Sequence, residues 1–269
     1  MKYLKATISL FIIIAVLLNW NFLLAGGKTT SNVTDVDRDN EPEYWDRADE
    51  NLLDLTADIT VSAWINGETF AGAGGGWNAI VAKGDHTTGY DFHFLTEDGA
   101  RFRVFQGGAG ILTHNVTLTA GTWYHVAYVC DDAGGAGSAS IYFNGTGTST
   151  GTCTVNNNNT IEFRVGSTEA ATSRNWDGQL ADIRIWSRVL TATEITDVRV
   201  DPCNFANGAS LVGQWLFDEG TGTSAADESA NALTLTGVNT PAWVTSAPYT
   251  ACAGAGGAPP EVPQIIWFE

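Results

Sequence analysis

The chain has 269 residues, with 30 acidic against 13 basic side chains, a formal net charge of −17, 30 glycines, ten tryptophans and four cysteines. A surface this acidic repels phosphate backbones and excludes nucleic acid as a partner, while suiting calcium, a soluble exported life or a salty medium. Abundant glycine and few long helical patterns exclude an all-helical body, and a β domain of about 200 to 250 residues commonly remains undivided.

In chain order, Lys2 and Lys5 precede an apolar run from Ile8 to Ala25, which closes on Ala25-Gly26-Gly27. Residues 1–27 therefore read as a signal peptide cleaved before Lys28, or else as an uncleaved N-terminal anchor. Export makes the protein secreted, extracellular or cell-surface, and a membrane is a partner only if the segment is retained. Residues 28–43 are polar, acidic and aperiodic, the pattern of a linker, and the folded domain is placed at 44–252.

Strand patterns follow. Ile59, Val61, Ala63 and Ile65 alternate with Thr60, Ser62 and Trp64. Beyond a glycine-rich loop from Gly67 to Gly76, residues 78–83 and 90–96 form a strand pair, and Arg101–Gln106 follows the Glu97-Asp98-Gly99 turn. In the run 122–129, Trp123, His125, Ala127 and Val129 point one way and Tyr124, Val126 and Tyr128 the other. Ile141-Tyr142-Phe143 ends on Asn144-Gly145, a hairpin turn whose two central residues need positive φ. Four asparagines within residues 155–160 suit a loop, alternation resumes at 161–165, and Gly178 opens a strand through Trp186. Residues 191–200 form one short helix, with Thr191 and Glu194 as a capping box. Leu211–Phe217 is a further strand, and residues 253–269 are a Gly/Pro spacer with an apolar tail, Ile265-Ile266-Trp267-Phe268, suited to self-association.

Cys130, Cys153, Cys203 and Cys252 in an exported chain favour disulfides over metal or catalysis. Three pairings are possible. The preferred one joins Cys130 to Cys153, both at strand ends on one sheet edge, and Cys203 to Cys252, stapling the C-terminal extension.

The pieces TWYHVAYV, SASIYFNGT and WDGQLADIRIWSRVLTATEI, in that order over residues 122–195, resemble the laminin-G-like, concanavalin A-like lectin/glucanase domain in its pentraxin-like branch. LDLTADITVSAWI, NAIVAKGD and YDFHFLTEDGARFRVF upstream, with LVGQWLFDEGTGTSAADESAN downstream, extend the resemblance over most of the chain. It implies an all-β fold: a two-sheet antiparallel β-sandwich, or jelly roll, with one short helix.

Relatives of this kind often carry Ca²⁺ on carboxylates and backbone oxygens. The resemblance points to Asp182, although many relatives have the acidic residue one position earlier, where this chain has Ala181. It also points to Asp227 and Asn231 in the ADESAN turn. Glycan recognition uses exposed aromatics with polar loop groups, and the candidates are Trp77, Asp85, His86, Tyr90 and Trp176. Trp64, Trp123, Trp186 and Trp215 sit in strand motifs and belong to the core. No Glu-x-Asp-x-Glu run, Gly-x-Ser-x-Gly elbow or zinc-ligand spacing occurs, so no catalytic apparatus is expected. The leading function is an exported, non-catalytic module that binds a glycan or glycoprotein at its loop rim, with calcium as a possible aid. A self-associating subunit of an extracellular appendage, coat or particle is the alternative, and a glycan-active enzyme is a third class.

Overall fold

A computed structural model describes residues 32–38, 41–70, 76–84, 92–107, 109–132, 137–156, 158–168, 174–200, 208, 210–246 and 248. The expectations for the leader and the tail, and those naming Asp85, His86, Tyr90, Cys203 and Cys252, lie outside these residues.

The strands are β1 (Asn32–Val36), β2 (Tyr44–Arg47), β3 (Ile59–Gly67), β4 (Trp77–Lys83), β5 (Phe92–Glu97), β6 (Arg101–Gln106), β7 (Ala109–Asn115) and β8 (Tyr124–Asp131). They continue as β9 (Gly137–Phe143), β10 (Thr146–Cys153), β11 (Phe163–Val165), β12 (Gly178–Trp186), β13 (Leu211–Trp215), β14 (Ser224–Ala225), β15 (Leu235–Val238) and β16 (Ala242–Thr245). Among the described residues, one α-helix, α1 (Ala192–Val200), lies between β12 and β13, and a 3-10 turn covers Asn51–Leu53. The first sheet runs β10-β9-β8-β3-β12-β1-β16, with β13 also on β12, and the second runs β14-β15-β2-β11-β4-β5-β6-β7. Neighbouring strands pair antiparallel throughout, as in β3 on β8, where Val61 faces Tyr128 and Ala63 faces Val126. The fold is the expected two-layer sandwich.

Alternation explains why the layers stack. The inward rows Ile59, Val61, Ala63 and Ile65 of β3 and Val126, Tyr128 and Cys130 of β8 enter one core with Phe92, Phe94, Phe102 and Val104 of the second sheet. Polar atoms in that interior find partners across the layers: Tyr128 donates to Gln106 at 3.1 Å and Trp45 donates to Thr34 at 2.8 Å. Each bond spares a buried polar group the cost of going unpaired.

The tryptophans divide in a way alternation alone does not reveal. Trp215 lies between the sheets, stacked on Phe163 at 5.2 Å and donating to the Leu233 carbonyl at 2.7 Å. Trp186 lies on the opposite side of the first sheet, in a separate cluster with Ala127, Leu190, Ile195 and Val198, where α1 covers it. Trp64 forms a third cluster with Val33 and Ala181, and Trp123 packs against it. All are buried or partly buried, yet only Trp215 of these four fills the space between the layers.

Local signals were realised where predicted. Asn144 and Gly145 have φ of 50° and 83° and join β9 to β10, with Phe143 facing Thr146. Thr191 and Glu194 cap α1 reciprocally: the Thr191 amide donates to Glu194 at 2.8 Å and the Glu194 amide donates to Thr191 Oγ1 at 3.3 Å. Cys130 and Cys153 form the expected disulfide.

One boundary needs correction. Asn32–Val36, placed in the acidic linker, is a strand between β12 and β16. Only Val33 and Val36 are apolar in it, so the short run shows little hydrophobic period. Thr34, fully buried, is accommodated because it accepts the Trp45 indole hydrogen bond.

Candidate functional site

The second sheet presents an outer face along β4, β5 and β6. On β6 the burial alternates: Phe102, Val104 and Gln106 are buried, while Arg101, Arg103 and Phe105 are half-exposed. Register places Trp77 of β4 opposite Glu97 of β5, and Glu97 opposite Arg101 of β6. Trp77 is half-buried there, with its ring 5.0 Å from that of Phe105.

Arginines surround this aromatic pair. The Arg103 guanidinium lies 5.2 Å from the Trp77 ring centre and 5.1 Å from that of Phe105. From a different part of the chain, the Arg174 guanidinium lies 4.9 Å from the Trp77 ring. Its backbone is tied to β4 because the Ala79 amide donates to the Arg174 carbonyl at 3.0 Å. Glu97 receives Arg103 at 2.9 Å and lies 3.4 Å from Arg101. Gly110 of β7 lies beside the group: a Cβ there would stand 2.9 Å from Arg103 Nη2, the flexible end of that side chain. Guanidinium groups on aromatic rings gain from the ring quadrupole, so Trp77 and Phe105 hold the arginines in place as much as they present apolar surface.

A second feature lies at β1, the β1–β2 turn, the end of β3 and the start of β12. A cavity of about 610 Å³ is lined there by Asp35, Asp37, Glu43, Glu68 and Asp177, with Arg38 and Thr69. Arg38 bonds Asn78 at 2.6 Å, bonds Thr69, and lies 3.5 Å from Asp177. Burial, then the charges of Glu68, Glu43, Asp177 and Asp37, push the Asp35 carboxyl up from 3.8 to about 6. The native state thus holds this proton more tightly than the unfolded chain does. The associated stability is complete below about pH 4 and is lost as pH rises through about 6. Because the side chain is half-exposed, solvent screening reduces the effect. Asp35→Asn should stabilise the domain by about 1 kcal/mol at pH 8 and negligibly at pH 3.5. Thermal melts at both values check this, and an equal gain at both would refute it.

The other predicted residues take different roles. Trp176, expected on the exposed rim, is fully buried in the core, 6.1 Å from the Phe70 ring. Asp182, expected as a calcium ligand, is 1 % exposed and accepts Arg184 with both oxygens, at 2.7 and 2.9 Å. Asp227 closes its own turn: Oδ1 accepts the Gln214 and Ser229 amides at 2.8 and 2.9 Å, and Oδ2 accepts the Leu233 amide at 2.8 Å. Asn231 donates to the Val212 carbonyl at 2.8 Å. The carboxylate oxygens of Asp182 and Asp227 are thus engaged by donors of the fold, whereas the Asn231 bond uses its Nδ2. Among the described residues, no group of three His, Cys, Asp or Glu side chains is arranged to hold a metal ion. His125 is buried against the Trp64 ring at 5.3 Å, and burial followed by the Arg184 charge pushes it down to about 3. Burial thus favours the neutral imidazole. Arg103, Phe105 and Arg174 were not foreseen as site residues, although the alternation in Arg101–Gln106 already placed Arg103 and Phe105 on one face with Arg101.

The chain matches, over residues 19–196, the family described as the concanavalin A-like lectin/glucanases superfamily, and it belongs to that family. No curated protein sequence matches it. Among solved structures, it is similar to a candidate carbohydrate-binding protein of Bacteroides ovatus, with TM-score 0.60 and 19% identity over 81% of this chain and 60% of that one. The chain thus spans less than two thirds of that protein. It is also similar to the carbohydrate-binding module CBM40 of a Ruminococcus gnavus sialidase, bound to α2,3-sialyllactose, with TM-score 0.51 and 11% identity over 65% of this chain and 99% of that one. A third likeness is to a heptameric pentraxin of Limulus polyphemus, with TM-score 0.46 and 14% identity over 66% of this chain and 84% of that one.

Proposed function

We propose that the protein is an exported, non-catalytic carbohydrate-recognition module whose glycan rests on the outer face of the second sheet around Trp77. The observation that carries this reading is the half-exposed Trp77–Phe105 pair, bordered by Arg103, Arg174 and Glu97. Apolar ring faces adjoining hydrogen-bonding groups suit a pyranose, which offers C–H patches beside hydroxyls. Two neighbours in fold carry carbohydrate-binding descriptions, which supports the same reading. The Cys130–Cys153 disulfide supports export, since such bonds persist in oxidising compartments. The reading departs from a loop-rim site, because Trp176 is unavailable and Trp77 looks out from a strand. Self-association would rest on the tail, outside the described residues, and no described feature favours it.

Affinity electrophoresis through gels cast with a panel of neutral and acidic polysaccharides tests the proposal. At least one polymer should retard the wild-type protein, and Trp77→Ala should remove the retardation while keeping the circular-dichroism spectrum. Free migration of the wild type in every gel would overturn the reading.

A further inference from the structure

We infer that the Trp77 face selects carboxylate-bearing glycans, with Arg174 as the principal contact to the sugar's carboxylate; this rests on the carbohydrate-recognition reading above. The argument begins with composition. With 30 acidic residues available to 13 basic ones, most arginines should find carboxylates within the fold. Arg47 with Glu50, Arg164 with Glu162, Arg184 with Asp182 and Arg188 with Glu194 do so. The face around Trp77 departs from this pattern: among the described residues, Arg101 and Arg103 share the carboxylate of Glu97, and Arg174 lies on the Trp77 ring with no ion pair.

Glu97 already serves Arg101 and Arg103. Arg174 makes no side-chain ion pair or hydrogen bond among the described residues, only its approach to the Trp77 ring. It is nevertheless partly desolvated, and burial lowers its pKa from the usual arginine value. A guanidinium partly stripped of water and left without a carboxylate is a costly arrangement in an isolated molecule. It becomes favourable when an incoming anion supplies the missing pair, and the planar fork of Arg matches the two oxygens of a carboxylate. Fixed on the indole, the side chain loses little further freedom on binding. The net charge of the chain repels a polyanion at long range, a repulsion that physiological salt screens beyond about 8 Å, so the contact rests on the local charge of Arg174. Phe105 and the half-exposed Trp77 then adjoin the ring that carries the carboxylate.

The test uses the full chain in the same gels, now cast with polygalacturonate, alginate or hyaluronate, with methyl-esterified polygalacturonate, with a neutral galactan, and with dextran sulfate. At least one polyuronate should bind roughly tenfold or more tightly than the ester and the galactan, the size expected for one charge-assisted contact. Arg174→Gln should erase that preference and lower the melting temperature only slightly, because among the described residues the group makes no side-chain ion pair or hydrogen bond and loses only its stacking on Trp77, and Arg174→Lys should restore part of it. Binding to the galactan or the ester as strong as to any polyuronate would overturn the inference and leave carbohydrate recognition standing. Stronger binding to dextran sulfate than to every polyuronate would overturn the assignment to carboxylates. Wild-type selectivity that survives in Arg174→Gln would overturn the role of Arg174, and no retardation by any polymer would remove both proposals.

Discussion

Arg184→Met should destabilise the domain by about 3–5 kcal/mol, the cost of leaving a buried carboxylate without its partner. Arg184 and Asp182 are 2 % and 1 % exposed, and two parallel hydrogen bonds of 2.7 and 2.9 Å join them. Gln214 adds a third donor to Asp182 at 3.2 Å. The pair stands at an irregularity of β12, where the register against β3 shifts between Ala181 and Arg184 and Asp182 takes a φ of 47°. Asp tolerates that left-handed conformation better than most residues, because its short side chain can bond locally. The double variant Asp182→Asn/Arg184→Met removes the unpaired charge, keeps a residue tolerant of positive φ, and should recover about half of the loss. Urea unfolding of the wild type, both single variants and the double variant measures the coupling. A single-variant loss below about 1 kcal/mol would show that the carboxylate is resolvated or protonated at little cost.

Breaking the Cys130–Cys153 bond should cost about 3 kcal/mol, the chain-entropy value for a closed loop of this size. The separation is 23 residues, and the bond spans β9, because Cys130 of β8 faces Ala139 and Cys153 of β10 faces Gly137. Both cysteines are buried in the main core, so alanine is a better replacement than serine, whose hydroxyl would need a partner. The Cys130→Ala/Cys153→Ala variant should unfold at lower urea concentration, and reducing the wild type should move its midpoint toward that of the variant. An unchanged midpoint with reduction confirmed by thiol counting would refute the expectation. Because β10 is an edge strand of its sheet, most of the loss should appear as early opening of the β9–β10 hairpin, readable by amide exchange.

Trp77 shows how far the sequence carried the site. A tryptophan after a glycine-rich stretch was a sound candidate for an exposed ring, and it is half-exposed. Its partners could not be read the same way, since Arg103 and Arg174 approach it from positions 26 and 97 residues along the chain (103 − 77 and 174 − 77). Trp176 had a similar polar context, SRNWDG, yet it is a core residue. Local composition describes a loop and does not say whether the loop folds back onto the layers. Asp182 makes the same point for charge. An acidic residue near a strand start fitted a cation ligand, but an arginine two positions later took both of its oxygens.

What the sequence determined by itself is the set of features that short-range physics controls. Alternation sorted Val61, Val126 and Tyr128 to an interior, the positive-φ demand of a two-residue turn located Asn144-Gly145, and the reciprocal cap of Thr191 and Glu194 set the start of α1. The tertiary structure alone decided which of two possible sides each buried tryptophan would occupy, that Asn32–Val36 would enter a sheet, and that Arg103 and Arg174 would meet at one aromatic pair. The physical reason is range. A turn or a cap is settled by dihedral angles and hydrogen bonds within a few residues, whereas burial and charge pairing depend on strands that meet only after the layers have closed.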